Sequence, residues 1–362
     1  MTRGPPARPL PDPVPSRLPL IDALKALASQ LIVLHHLAFY GPMSDTVRPY
    51  AAPLVDGLAE YGRLAVQVFL VVGGFLAARA LSAEGVARVG SAATLVARRW
   101  ARLAGPYLAA IALALITAAI GRALTDHPSV PEAPTARQLL ANLAMLQDLA
   151  GETALSAGLW YVAIDLQLFA ITTAIGWACA RAGAPGAMPA AVAALGAASL
   201  VAFNRDPGWD VWGIYYFGAY ALGALAAWAG PRGAGRLAPL AIAVLGGVAL
   251  IVEFRSRIAV ALATALLLAW AIPRGGAERG LSSPAIAYLA RISYSVFLVH
   301  YPVCVLFEAA AARWFADDPL ACALGLGLAW AASIAAGALL YRRVEAPVSA
   351  ALSRSRAVPA RP

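Results

Sequence analysis

"ALKALASQLIVLHHLAFYG", residues 23–41, is an apolar run of nearly membrane-spanning length, yet it carries a lysine, Lys25, and two adjacent histidines, His35 and His36. A charge inside a membrane helix is costly and usually has a function. The first question is therefore whether this stretch lies in a membrane.

Composition answers it. The chain has 362 residues, of which 61% are hydrophobic and 13% charged, with a mean hydropathy of +0.70. A soluble domain has about a quarter charged residues, so too few remain here to coat a soluble surface. The net charge of +9 and the pI near 9.8 do not indicate nucleic acid, because the arginines are scattered in short loops without interleaved aromatics. Arginines flanking apolar spans instead orient helices in a bilayer. Cys179, Cys304 and Cys322 lie in apolar stretches without CxxC spacing and read as small core residues. No metal-ligand set is expected.

Ten segments approach the roughly 20 apolar residues that a span needs: 19–40, 63–82, 103–122, 158–180, 186–203, 211–229, 237–253, 257–273, 286–310 and 320–341. The expected fold is an all-α, polytopic membrane bundle of about ten helices. Its domain is expected at 20–349, between a proline- and arginine-rich disordered tail at 1–19 and a second tail at 350–362. The first apolar segment is too long for a signal-peptide core and carries Lys25, so it reads as a retained helix. With both termini cytoplasmic, the inner side receives 17 basic residues and the outer side 8, which the positive-inside rule favours. Arg255 and Arg257 are the misfit, since they fall in a presumed outer turn. The segments 41–62 and 123–157 read as the longest outer loops.

Within the first helix, Lys25 and His36 are 11 residues apart. At about 100° per residue they lie within roughly 20° of one face, about 16 Å apart along the axis. Ser29 and Asp22 lie near the same stripe, and His35 is turned away by about 100°. A lysine snorkelling to the interface is the plain alternative for Lys25, but the shared face favours a polar path through the helix. Arg98, Arg99 and Arg102 in "LVARRWARLAGPYL" precede the third span. Such a cluster is a topology signal, a lipid-headgroup contact or a grip on phosphates. "GLWYVAIDLQLFAI" puts Trp160, Asp165 and Gln167 in the fourth span, and "LARISYSVFLVHYPV" puts Arg291, Ser293, Tyr294 and His300 in the ninth. Arg291 and His300 are nine residues apart and face opposite ways. Glu345 follows the tenth span in "RRVEAP".

These segments, in this order, resemble the acyltransferase-3 family, polytopic enzymes that O-acylate cell-envelope glycans and some small molecules. The resemblance covers about residues 20–349. "LIDALKALASQLIVLHH" is similar to the family's first-helix motif of an arginine, ten residues and a histidine, with Lys25 at the arginine position and His36 at the histidine. "AVQVFLVVGGFLAARAL" is similar to the second-helix motif, with Gln67 and Gly73 at positions more often Asp and Ser. "ARRWARLAGPYL", "LWYVAIDLQLF" (Asp165 where Glu is usual), "RISYSVFLVHYPV" and "VEAP" are similar to the remaining signatures.

The resemblance implies a cytosolic acyl-CoA donor, most often acetyl-CoA, as a substrate rather than a resident cofactor. It also implies an acceptor hydroxyl at the outer face, on a carbohydrate, lipid-linked sugar or small molecule, and His36 as the catalytic histidine. The catalytic set expected from motifs and helix geometry together is His36, Lys25 and Asp165. The expected donor-binding set is Lys25, Arg98, Arg99 and Arg102. Trp160, Gln167, Arg291, Tyr294, His300 and Glu345 are expected as substrate-contacting or structural polar groups. The expected setting is a bacterial inner membrane. Neutral imidazole suits removal of a hydroxyl proton, and a covalent acyl-histidine is the open alternative. Lysine offers a point charge where arginine offers a planar fork, and Gln67 removes a possible charge partner. A transporter or flippase, or a family member without catalysis, are the rival readings; no inverted repeat is visible in favour of the transporter.

Overall fold

The computed structural model describes residues 18–230, 233–274, 281 and 283–357. Most of the N-terminal tail read from the sequence, residues 1–17, and the last five residues lie outside them.

Each of the ten segments read from the sequence falls on a helix. α1 (Pro19–Phe39) begins with Pro19 in its first turn and Asp22 close behind, residues whose fixed φ and negative charge suit a helix start. α3 (Ala65–Leu81), α4 (Ala92–Leu124), α6 (Leu159–Arg181) and α7 (Met188–Val201) follow, interleaved with two elements that the hydropathy pattern does not reveal. The first, α2 (Pro42–Tyr61), occupies the expected loop at 41–62. Pro49, Pro53 and several charges disguise it, and it kinks at Ala51 (φ −142°, ψ 35°). The second, α5 (Ala136–Leu143), lies within the expected loop at 123–157, capped by the Thr135 hydroxyl accepting from the Gln138 N–H. α8 (Gly213–Trp228), α9 (Ala238–Val252), α10 (Ser256–Ala271), α11 (Pro284–Trp314) and α12 (Pro319–Leu340) complete the bundle. A π-helical turn at Tyr341–Glu345 leads into α13 (Ala346–Ala357), so the chain remains helical well into the expected C-terminal tail. A two-residue hairpin pairs Ser82–Ala83 with Val86–Ala87.

Among the described residues, eight helical stretches are long and apolar enough to cross a membrane. α8 and α9, with 16 and 15 residues, reach only about 24 and 22 Å at 1.5 Å per residue. α8 is protein-enclosed: twelve of its residues are buried, so its short length leaves little backbone facing lipid.

Two packed regions organise the bundle. In one, α3 lies against α8, flanked by α6 and α10. A Cβ at Gly74 would overlap the Tyr220 carbonyl, and one at Gly223 would overlap that of Val71. Small residues let two membrane helices approach this closely, where van der Waals contact replaces a hydrophobic driving force. In the other, α11 runs among α1, α4 and α12.

The α1–α2 turn is closed by a buried carboxylate. At Gly41, which takes φ +99°, a Cβ would overlap the carboxylate of Glu308 of α11, whose Oε2 accepts the Met43 N–H at 3.0 Å. The two misfit arginines have structural work. Arg255 donates to Asn204 Oδ1 (2.6 Å) and the Leu200 carbonyl (2.8 Å), and Arg257 donates to the Tyr215 hydroxyl (2.5 Å) and the Asn204 carbonyl (2.7 Å). They tie off the end of α7. Beside them Arg205 donates to Glu253 at 2.8 Å and holds that carboxyl below its ordinary range.

Candidate active site

A cavity of about 610 Å³ opens among α1, α3, α4, α6, α11 and the π-helical turn. Lys25 of α1, Arg99 and Arg102 of α4, Asp165 of α6, Ser293 and Tyr294 of α11, and Glu345 all line it. The charged groups of four separate motifs thus meet in one space.

Asp165 is almost fully buried, and its Oδ2 accepts from Arg99 Nη2 at 2.6 Å. A buried carboxylate requires such a partner. The Arg99 guanidinium also lies over the Phe169 ring, 5.3 Å from its centroid. Its buried Nε and the buried Tyr220 hydroxyl have no hydrogen-bond partner among the described residues. Arg99 is therefore committed to Asp165 and fixes α4 to α6. Lys25 makes no ion pair within 4.0 Å among the described residues and lies in electrostatic reach of Asp22, Glu345 and Arg102. Glu345 accepts from the Ser295 hydroxyl at 2.6 Å. A π-helical turn places it there, a wide turn of a kind often found at functional sites.

Beyond one end of this cavity stand the histidines. His36 Nδ1 and His300 Nε2 are 2.8 Å apart, and His300 Nδ1 is 3.2 Å from the Val296 carbonyl. A carbonyl only accepts, so His300 carries its proton on Nδ1 and its Nε2 is an acceptor. His36 must then donate through Nδ1. This assignment, made from the hydrogen-bond network, leaves the lone pair of His36 on Nε2. The second histidine thus sets the tautomer of the first, as a carboxylate does in a Ser-His-Asp triad. Tyr40 stacks on the His36 ring (5.5 Å, 18°) and Tyr301 meets it edge-on (6.0 Å). His35, on the adjacent face as its helical angle requires, donates through Nδ1 to the Leu58 carbonyl at 3.2 Å and joins α1 to α2.

The remaining residues singled out in the sequence divide clearly. Tyr294 lines the cavity and donates its hydroxyl to the Leu103 carbonyl at 3.2 Å. Trp160 packs against Tyr161 and Tyr216 without lining the cavity. Gln167 accepts the Gly213 N–H at 2.7 Å and anchors the start of α8. Arg98 and Arg291 are exposed and lie outside the lining; Arg98 is 100° from Arg99 around α4. Gln67 is buried outside the lining, whereas Gly73 is part of it. Sequence reasoning missed Phe69, Tyr161 and Phe297, which line the cavity, and Glu308. Aromatic residues in an apolar span carry no signal of their own; Glu308 carries one, a lone acid within the ninth span.

No curated protein and no solved structure matches the chain. The family model for the acyltransferase domain of the acyltransferase-3 family matches residues 18–338, a range that holds both histidines of the pair and every cavity-lining residue except Glu345, and the chain belongs to that family of membrane acyltransferases.

Proposed function

We propose that the protein is an acyl-CoA-dependent O-acyltransferase that moves a short acyl group, acetyl in the simplest case, onto a hydroxyl of an envelope glycan, lipid-linked sugar or small molecule. The observation that carries this reading is the His36–His300 pair beyond one end of a cavity whose other end holds Lys25 and Arg102. The phosphates of a CoA thioester need cations with spare valence, and these two supply them, since Arg99 is bound to Asp165. Phosphate contacts of this kind are charge-assisted and individually strong.

In the proposed step the acceptor oxygen bonds to the acyl carbon while its proton passes to His36 Nε2. The C–S bond then breaks, and the departing thiolate takes that proton. Atoms and charge balance without a metal or redox partner. His300 holds the His36 ring and tautomer through the whole cycle. The bias of basic residues supports both termini on the cytoplasmic side, where the donor is.

The test uses membranes containing the full chain and acetyl-CoA labelled in the acetyl group. Label should enter envelope glycans or lipids, and His36→Ala should reduce it about 10²–10⁴-fold, the usual contribution of a general base. Equal labelling by the native chain and His36→Ala, at equal amounts of folded protein, overturns the reading.

A further inference from the structure

The cavity has one charged end and one aromatic end. Of the α3 residues that line it, the one nearest the start of the helix is Phe69; of those on α6 it is Tyr161. On α11, the lining residue furthest along the helix is Phe297. These three meet. Their ring centroids are 5.3 Å (Tyr161–Phe297), 5.8 Å (Phe69–Phe297) and 6.1 Å (Phe69–Tyr161) apart, the spacing of aromatic rings in contact. Ala28 and Ile32 of α1 pack against the same group, and in α1 they fall between Lys25 and His36. On the far side, the Phe297 ring is 5.9 Å from His300. Neither histidine lines the cavity. The three rings therefore stand between the charged chamber and the histidine pair.

We propose that Phe69, Tyr161 and Phe297 form a ring that sets the length of the acyl group delivered to His36. The proposal rests on the acyl-CoA reading above and adds a specificity element to it. Rings in mutual contact leave no lumen for an alkyl chain. A thioester whose acyl group ends at one methyl reaches the histidines by a small displacement of the side chains. Each further methylene has to occupy space that the rings already fill. Phe297 has least freedom to yield: it is nearly buried, and a Cβ at Gly158 of the neighbouring turn would overlap its carbonyl, so its backbone is held against the start of α6. Phe69, half-buried on α3, is the member whose removal opens most room at least structural cost. Tyr161 lies two turns above Phe169 and one above Asp165 on α6, so the ring is built on the same helix that anchors Arg99.

The experiment measures binding, which needs no knowledge of the acceptor. The full chain in lipid nanodiscs is titrated with CoA and with two non-reactive thioether analogues, one of acetyl-CoA and one of octanoyl-CoA, against empty nanodiscs. The native protein should bind the short analogue at least about tenfold more tightly than the long one, the scale on which a shaped pocket rejects added methylenes. Phe69→Ala should bring that ratio near one by improving the long analogue, with CoA itself bound as in the native protein. Retained CoA binding also reports that the variant is folded; where Phe69→Ala loses it, Phe69→Leu should still narrow the ratio. Equal binding of both analogues by the native chain, or a ratio unmoved in folded Phe69 variants, overturns the ring. Failure of the native chain to bind CoA at all is a different result: it overturns the donor reading and the ring falls with it.

Discussion

His300 offers the sharpest test of the histidine pair. Replacing it with leucine removes the only side-chain acceptor for His36 Nδ1–H among the described residues, at 2.8 Å. A buried donor left unpaired costs about 1–3 kcal/mol, which at 1.36 kcal/mol per tenfold is about 5- to 160-fold in rate. His300→Gln keeps an acceptor oxygen and should recover most of the activity. The decisive measurement is the cycle with His36→Ala, read as thiol release from acetyl-CoA by purified protein normalised to folded material. If His300 acts only through His36, the double variant should be no slower than His36→Ala alone, because residues that work as a unit are not additive. A double variant slower than His36→Ala by the full His300 factor would show that His300 acts independently and would refute the tautomer argument.

Arg102→Ala should raise KM for the acyl donor, by about tenfold or more for a lost charge-assisted contact worth about 1.5–3 kcal/mol, while Arg98→Ala leaves it unchanged; equal effects in steady-state kinetics would place both arginines in the same role. Asp165→Asn should lower the yield of folded protein, because breaking a fully buried pair costs about 3–5 kcal/mol and the partial exposure of the Arg99 side chain, 31%, puts the cost below that range. The double change Arg99→Met with Asp165→Leu should restore yield without activity, as read by size-exclusion profiles and the thiol assay. In a cysteine-free background, a cysteine at Thr135 should be labelled from outside the cell and one at Leu95 should not, Leu95 lying in the first turn of the 33-residue α4 and Thr135 in the segment that follows its other end; the reverse pattern would invert the orientation.

The parts of this molecule that local periodicity encodes were open to reading. Eleven residues is close to a whole number of turns, so the common face of Lys25 and His36, and the separate face of His35, follow from arithmetic on α1 alone. The long apolar runs likewise announce α4, α6 and α11. α2 was hidden because Pro49, Pro53, Asp45, Arg48 and Asp56 break its hydropathy, although charge pairing between Arg48 and Asp56 (3.1 Å) stabilises it in the fold. The His36–His300 bond joins residues 264 apart in sequence, a distance at which no pattern in either helix points to the other. The three arginines before the third span look equivalent in sequence; only packing commits Arg99 to Asp165, leaves Arg102 at the cavity and turns Arg98 away.

The adjacent histidines also set how the gene can vary in length. His35 is joined to α2 and His36 to α11, so the two rings hold neighbouring seams of the bundle. Inserting one codon between Lys25 and His35 would advance both rings by about 100°. If Lys25 stayed in its chamber, His35 would then arrive at the angle and height that His36 had occupied, while His36 would turn away from its partner. The dipeptide thus contains a spare imidazole for a single-residue insertion and none for a deletion, which would bring Leu37 into the place of His36. A one-residue insertion in this stretch should therefore keep an imidazole at the α11 seam and lose the one at the α2 seam, where Leu34 or the inserted residue would take the place of His35 and its bond to the Leu58 carbonyl.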